Sequence, residues 1–428
     1  MAGSWWAIRL LGDVRQHLTA FYGWFALAFA AYLAALWVIG RAEGLPAASR
    51  RGGWLLALIL VGAAVCRASV LRTTPTLSDD IYRYRWDGRV QLAGFDPYAY
   101  PPDHPALAFL RDEPFTRINF PHLRTVYPPV TQWAFQLGAR LGQTLVAQKI
   151  VLLVAELLLV IALLGALASR GRSLLWVAAY AWHPLAVLEI AGSGHNDVVG
   201  VAWLWLGVWA WCAGRRWAAG GAWALAFLSK YATALLAPWW WFRRQGRVAL
   251  LAACALAAWP LICYPTVISA LYESLSAMTM RFESNASVYL LLAWLAGDAG
   301  SARTVAAMLG AGFLLWWAWR EPDPIRYLLG GFTAAVLLSP VLHPWYLLWI
   351  IPCFCFVRVP AIVALTGTVV LAYTVWPGRL ADGRWMLPVW AHVLEYAPVA
   401  ILGLWEVVRW LSRSFFLPAT NPSLSARS

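Results

Sequence analysis

Two adjacent acids, Asp79 and Asp80, stand just past a long apolar run, in the stretch Ser78-Asp79-Asp80-Ile81-Tyr82-Arg83-Tyr84-Arg85-Trp86-Asp87-Gly88. A carboxylate can take a proton from a hydroxyl, provided it sits within hydrogen-bond reach of that proton. Asp79 and Asp80 can cap and open a helix. Asp80, Tyr84 and Asp87, at i, i+4 and i+7, then share one face of it. Arg83, Arg85 and Arg89 lie in or beside the same stretch. They would supply cations for an anionic leaving group such as a phosphate. The plainer reading of these residues is a capped, solvated helix. Asp80 is the first choice of base and Asp79 the second.

Other polar motifs could join this chemistry. Phe95-Asp96-Pro97-Tyr98 and Tyr127-Pro128-Pro129 are turn signals carrying aromatics; Tyr98 and Tyr127 either scaffold a loop or stack on a sugar or prenyl chain. Gly194-His195-Asn196-Asp197 is a turn and helix cap, or a set of hydrogen-bonding groups for sugar hydroxyls, with His195 able to carry charge near neutral pH. Lys230 interrupts the apolar stretch WALAFLSKYATALLAP. It either snorkels to an interface or faces a cavity as a phosphate ligand. Ser339-Pro340-Val341-Leu342-His343-Pro344 reads as a helix break that carries a histidine. Glu156 and Glu189 fall in apolar runs and are expected to be satisfied by neighbours, and His183-Pro184 reads as a kink.

The elements that must hold these residues are membrane helices. The chain has 428 residues, 61% hydrophobic and only 12% charged, against roughly a quarter charged in soluble domains. Its mean hydropathy is +0.62. Many segments approach the roughly 20 apolar residues a spanning helix needs, and a helix is the lipid-exposed segment that satisfies its own backbone. The alternating ten-residue pattern of a β-barrel is absent. The expected fold is therefore an all-α polytopic bundle of about 11 to 13 transmembrane helices. It forms a single domain over 1–428, with residues 72–128 as an extramembrane loop and 417–428 as a disordered tail. That loop holds seven of the twenty acids in the chain, Asp79, Asp80, Asp87, Asp96, Asp103, Asp112 and Glu113.

The net charge of +13 comes almost wholly from arginine, Lys149 and Lys230 being the two lysines. The arginines cluster in short loops, which is the positive-inside pattern and not a nucleic-acid footprint. Spans are expected near 21–40, 53–71, 146–168, 173–190, 197–213, 248–265, 303–319, 327–341, 345–357, 360–376 and 390–411. Residues 127–145 would be a half-helix or a surface helix, and 218–242 would enter and return, breaking near Lys230, or cross as two short helices. Residues 1–20 would form an interfacial helix. The acidic island, the His195 turn, Arg281-Phe282-Glu283, His343, and Asp382 with Arg384 then share the non-cytoplasmic face. The thirty tryptophans and sixteen tyrosines suit interfacial belts. The six cysteines read as small core hydrophobes with no disulfide or metal site.

Taken together, SDDIYRYRWDGRV, GFDPYAYPP, YPP, GHND and SPVLHPWYLLW resemble the bacterial polyprenol-phosphate-mannose-dependent α-mannosyltransferases of the GT-C class. The actinobacterial α-1,6-mannopyranosyltransferases and their relatives are the nearest in look. The resemblance implies a GT-C bundle whose catalytic acid lies in the first large extracytoplasmic loop, where Asp80 and Tyr84 fit the D-x-x-x-Y spacing. It also implies an inverting transfer of mannose from a polyprenyl-monophosphate donor to a glycan or glycolipid acceptor, outside a bacterial plasma membrane. No metal or cofactor is expected. Two spans precede the catalytic loop here where the class has one. The competing reading is a flippase or transporter for lipid-linked sugars. Transporters tend to show internal repeats and mid-membrane polar sites, and neither is evident in the sequence.

Overall fold

The computed structural model describes residues 1–41, 50–263, 265–281 and 283–416. The tail after Phe416, and Phe282 of the Arg281-Phe282-Glu283 motif, lie outside the described residues. Among the described residues every named element is helical, and the one β-type pairing is a single bridge between Ser284 and Val341.

The chain opens with α1 (Ala2–Leu10), whose Trp5 packs edge-on to Phe25 at 6.4 Å. After a turn over Val14–Gln16, α2 (Leu18–Arg41) and α3 (Arg50–Leu71) run as long apolar helices. In the polar island come α4 (Asp80–Leu92) and two 3-10 turns, Pro105–Leu110 and Glu113–Arg117. The anticipated half-helix is α5 (Pro129–Leu141), opened by Pro129 and closed by Gly142 at φ +158°. Next is α6 (Leu145–Ser169), capped by the Thr144 hydroxyl on the Ala147 amide.

The segment expected at 173–190 is two half-helices, α7 (Leu174–Ala181) and α8 (Pro184–Gly192), bent by 56°. The break falls at His183-Pro184, where proline can neither donate to the helical ladder nor fit its ring inside it. The end of α8 widens into a π-turn over Val187–Gly192. It is followed by α9 (Asp197–Cys212), α10 (Arg216–Phe227), α11 (Ala237–Phe242) and α12 (Arg244–Cys263). Between α10 and α11 the chain breaks at Lys230, whose backbone is extended (φ −157°, ψ 125°).

The stretch around Arg281-Phe282-Glu283 holds α13 (Pro265–Arg281), α14 (Val288–Ala296) and the start of α15 (Ala299–Arg320). Then comes α16 (Pro324–Leu338). The apolar run 345–357 is two 3-10 turns, Pro344–Trp349 and Ile351–Cys355, each with a proline in its first two positions. The chain ends with α17 (Pro360–Thr368), α18 (Trp376–Asp382) and α19 (Val389–Phe416).

Five of these helical stretches are long and apolar enough to cross a membrane, or six where the bent α7–α8 pair is counted as one broken span. The other apolar runs are shorter or broken. The fold is an all-α polytopic membrane bundle, consistent with the GT-C layout. α6 is its most apolar span, and α6 and α9 pack so closely that a Cβ on Gly165 would fall 2.3 Å from the Trp209 ring. Inside the bundle Arg67 of α3 forks onto Glu156 of α6 at 2.7 and 2.6 Å, and Tyr180 donates to the same carboxylate at 2.9 Å. A buried charge of this kind is stable only when so paired.

The two ends of the bundle differ. At one end the arginine-bearing termini meet: Arg170 pairs with Asp323 at 2.6 Å, Arg172 donates to the Phe356 carbonyl, and Arg243 donates to the Glu321 carbonyl. The opposite end receives α4, the starts of α6 and α9, the π-turn of α8 and the loop after α16.

Candidate active site

Asp80 is the first residue of α4, with Asp79 before it at the cap position. Protein surrounds the Asp80 side chain densely, yet part of it stays accessible. Burial raises its pKa above the ordinary carboxylate value. The neighbouring His195 and Lys230 and a hydrogen bond from Tyr84 oppose that rise, and Asp197 adds to it. Asp79 is also raised, first by burial and further by Asp80, while Arg15, Arg117 and Arg379 pull it down.

Tyr84 lies one turn beyond Asp80. Its ring stacks on Phe135 at 4.6 Å and meets Tyr127 edge-on at 5.1 Å. Burial lifts the pKa of both tyrosine hydroxyls well above the usual value, so both remain proton donors. Tyr98 stands behind them. Its hydroxyl donates to the Tyr127 carbonyl at 2.7 Å, and its amide is held by Asp96 at 2.8 Å. α4 can lie this close to α5 because residue 88 is glycine: a Cβ there would sit 2.3 Å from the Phe135 carbonyl oxygen.

The Gly194-His195-Asn196-Asp197 turn closes over the start of α4. Gly194 takes φ +79°, a left-handed value that glycine adopts freely, and a Cβ there would meet Ile81 at 2.5 Å. His195 is fully buried and stacks on Trp345 at 3.9 Å; the other face of the aromatic sandwich is His343, 4.3 Å from the same ring. Burial first, and then the neighbouring His195 and Lys230, hold the His343 imidazole down to about 3, so it is neutral near pH 7. Asp197 accepts from Lys230 at 2.6 Å and from the Trp349 indole at 2.7 Å. Among the described residues, four polar side-chain atoms of this turn are buried without a hydrogen-bond partner: His195 Nδ1 and Nε2, Asn196 Nδ2 and Asp197 Oδ2. Unpaired buried polar atoms carry a desolvation cost, and their gathering beside Asp80 is what a hydroxyl-rich ligand would relieve.

Lys230 is aimed by its break. The amide of Val130 donates to the Leu228 carbonyl at 2.9 Å and the Thr131 hydroxyl to the Ser229 carbonyl at 2.7 Å. The start of α5 therefore satisfies the carbonyls that the broken helix leaves free, and Lys230 points to Asp197 and to the Tyr346 ring 5.6 Å away.

The expected residues thus divide in two. Asp80, Asp79, Tyr84, Tyr127, His195, Asn196, Asp197, Lys230 and His343 converge. Arg83, Asp87 and Arg89 are engaged elsewhere. Arg83 pairs with Asp87 at 2.8 Å, and the other Asp87 oxygen accepts from Gln132 at 2.8 Å. Arg85 and Arg89 both clamp Asp112, at 2.6 and 2.5 Å. Asp87 shares a helix face with Asp80, but seven residues along it lies about 10 Å deeper, under α5. The sequence reading passed over Trp345 and Trp349, and over Arg15, Arg117 and Arg379 around Asp79. Glu189 is also part of this region, 2.9 Å from His195. The arginines come from three distant segments, so no local motif marks them. Among the described residues no three His, Cys, Asp or Glu side chains gather as metal ligands.

Comparison with known proteins bears on this arrangement. Residues 3–243 match the family model described as alpha-(1->6)-mannopyranosyltransferase, N-terminal domain. The chain belongs to this mannopyranosyltransferase family. The match takes in α4, α5, the His195 turn and Lys230, and stops before His343. A curated member of similar sequence is alpha-(1->6)-mannopyranosyltransferase A of Mycobacterium tuberculosis, 26% identical over 333 residues. That alignment covers 66% of this chain and 62% of the length of the relative.

Proposed function

We propose that this protein is a membrane glycosyltransferase that moves mannose from a polyprenyl-monophosphate donor to a glycan or glycolipid acceptor, on the extracytoplasmic face of a bacterial plasma membrane. The observation that carries this reading is Asp80: a carboxylate with raised basicity, open to a ligand, ringed by Tyr84, His195, Asp197 and Lys230. The family supports mannose as the sugar and an α-(1→6) linkage as the product.

In this scheme Asp80 takes the proton of the acceptor hydroxyl as that oxygen attacks the anomeric carbon. A pKa above the ordinary carboxylate value makes the ionised carboxylate a stronger base. The bond to the lipid phosphate breaks on the opposite side, so direct attack inverts the anomeric centre and a β-linked donor gives an α product. The departing phosphate gains charge, and fixed cations stabilise it. Lys230 is the cation inside the site, and Arg15, Arg117 and Arg379 are the ones bordering Asp79. Asn196, Asp197 and His195 hold sugar hydroxyls through their unpaired atoms. The acid serves as base and the cations as clamp, so the scheme calls on no metal.

The test is transfer of label from a radiolabelled polyprenyl-phosphate mannose to a membrane lipid extract by the purified protein, with the product digested by an α-mannosidase. Label in an α-mannosidase-sensitive lipid is the expected result. No transfer from any polyprenyl-phosphate sugar would overturn the reading.

A further inference from the structure

Glu189 lies in the π-turn at the end of α8, fully buried, with one carboxylate oxygen accepting from the Tyr373 hydroxyl at 2.8 Å. Its other oxygen stands 2.9 Å from Nδ1 of His195, at an angle short of a linear hydrogen bond. Such contacts commonly straighten only when the substrate complex forms. The backbone ties the same two residues, the His195 amide donating to the Glu189 carbonyl at 2.8 Å. The His195 ring cannot swing away, because Trp345 stacks on it at 3.9 Å with a tilt of only 17°. A carboxylate facing Nδ1 fixes which ring nitrogen carries the proton. Nδ1 is then the donor, and Nε2, buried and without a partner among the described residues, is left as an acceptor on a ring that interacts electrostatically with Asp80.

We propose that Glu189 is a positioning residue: anchored by Tyr373, it holds the His195 imidazole protonated on Nδ1, so that Nε2 accepts a hydrogen bond from a hydroxyl of the bound sugar beside Asp80. This rests on the proposed transferase reading, but the tautomer itself does not require turnover. Tyr373 gives the argument its direction. Its hydroxyl occupies one oxygen of Glu189, so in Glu189→Gln the amide oxygen takes that place and the amide NH2 faces Nδ1. The imidazole must then accept at Nδ1 and carry its proton on Nε2. One substitution of equal size reverses the tautomer and turns the acceptor into a donor.

The experiment has two arms. In the first, protein labelled with 15N-histidine is reconstituted in lipid nanodiscs, and the His195 signals are assigned by their loss in His195→Ala. The unprotonated nitrogen is expected to be Nε2 in the native protein and Nδ1 in Glu189→Gln. Identical His195 signals in both proteins would overturn the proposal. In the second arm, kcat/KM is measured for Glu189→Gln, His195→Ala and the double variant, each first shown to unfold at a temperature close to that of the native protein. Glu189→Gln should lower kcat/KM at least tenfold, and the double variant should match His195→Ala within about threefold, because residues acting through one contact are non-additive. Losses that multiply would mean that Glu189 acts independently of His195, which also overturns the proposal. A native protein with no transferase activity but with the expected tautomer reversal would count against the transferase reading and leave the positioning of His195 intact.

Discussion

Replacing Asp80 with asparagine separates chemistry from structure better than any other single change here. The amide keeps an oxygen that can accept from Tyr84 and has nearly the same shape, so the helix start and its packing should persist. Only the proton-accepting charge is lost. General-base catalysis contributes on the order of 10²–10⁴-fold, which is about 2.7–5.4 kcal/mol of activation free energy at 1.36 kcal/mol per tenfold. Turnover should fall by that factor. Stability should move the other way. Burial raises the folded-state pKa of Asp80 above its ordinary value, so the folded protein holds this proton more tightly than the unfolded chain does. The corresponding stability is present at low pH and is lost as pH rises through the raised value. Above that raised value the ionised carboxylate is therefore a net cost to folding, and there Asp80→Asn should unfold at a temperature equal to or above that of the native protein. The same sign places the acid limb of the native pH–rate profile above the ordinary aspartate range, with activity gained as pH rises and Asp80 ionises. The assays are mannosyl transfer from a labelled lipid-phosphate donor across pH, and thermal unfolding in detergent. If Asp80→Asn stays within tenfold of native turnover, Asp80 is not the base. Asp79→Asn, run beside it, tells whether that role passes to its neighbour.

Four further outcomes are expected. A cysteine at Ala108, in the exposed island loop, should react with an impermeant thiol reagent in spheroplasts while one at Gln245 does not; the reverse labelling would place the site in the cytoplasm. Lys230→Met should weaken binding of free polyprenyl phosphate roughly ten- to a hundredfold, since a hydrogen bond to a charged group is worth about 1.5–3 kcal/mol; unchanged affinity in a titration would move the phosphate site to Arg15, Arg117 and Arg379. Glu156→Gln strips the Arg67 guanidinium of its counter-charge inside the bundle and should destabilise the protein by about 3–5 kcal/mol, a loss checked by denaturation; a change below 1 kcal/mol would show that water or lipid phosphate reaches Arg67. Gly194→Ala places a side chain at φ +79°, a strain of about 1–2 kcal/mol, and should lower activity by displacing the His195 turn from Asp80; full activity with unchanged stability would show that the turn relaxes without consequence.

Much of the fold was legible because the bilayer makes hydropathy a strong signal. Long apolar runs gave α2, α3, α6 and α19, and the half-helix α5 and the break at Lys230 followed from placing arginines on one face. Less legible was how apolar segments with internal prolines would fold. Residues 345–357 and the 173–190 run are apolar enough for continuous helices, but Pro344, Pro352 and Pro184 divide them. The site was legible where a polar motif interrupts an apolar background, as with Asp80, His195 to Asp197, Lys230 and His343. It was illegible where recruitment is tertiary. Arg83, Arg85 and Arg89 sit beside the acids in sequence, yet they are consumed by Asp87 and Asp112. Arg15, Arg117 and Arg379, with no local mark, take their place around Asp79. Sequence proximity says which charges are near along the chain, and only packing decides which acid each arginine meets.

The candidate site residues share a structural circumstance that explains both their visibility and their orientation. Lys230 stands at a helix break, Glu189 in a π-turn, His195 after a left-handed glycine, and His343 between a helix end and a proline. A regular membrane helix turns its side chains outward in a fixed rotation and leaves no backbone group exposed. Several side chains from different helices can be aimed at one point only where that regularity is abandoned. Each break frees backbone groups, and here neighbouring elements take them up. The start of α5 satisfies the carbonyls of Leu228 and Ser229, and Ser284 and Val341 pair their segments by two backbone hydrogen bonds next to His343. These irregularities violate local helix preference, and such violations concentrate where function requires them. The breaks in this bundle therefore mark the candidate site more clearly than any single residue does. A substitution that restores helical regularity at one of them should lower activity more than it lowers stability.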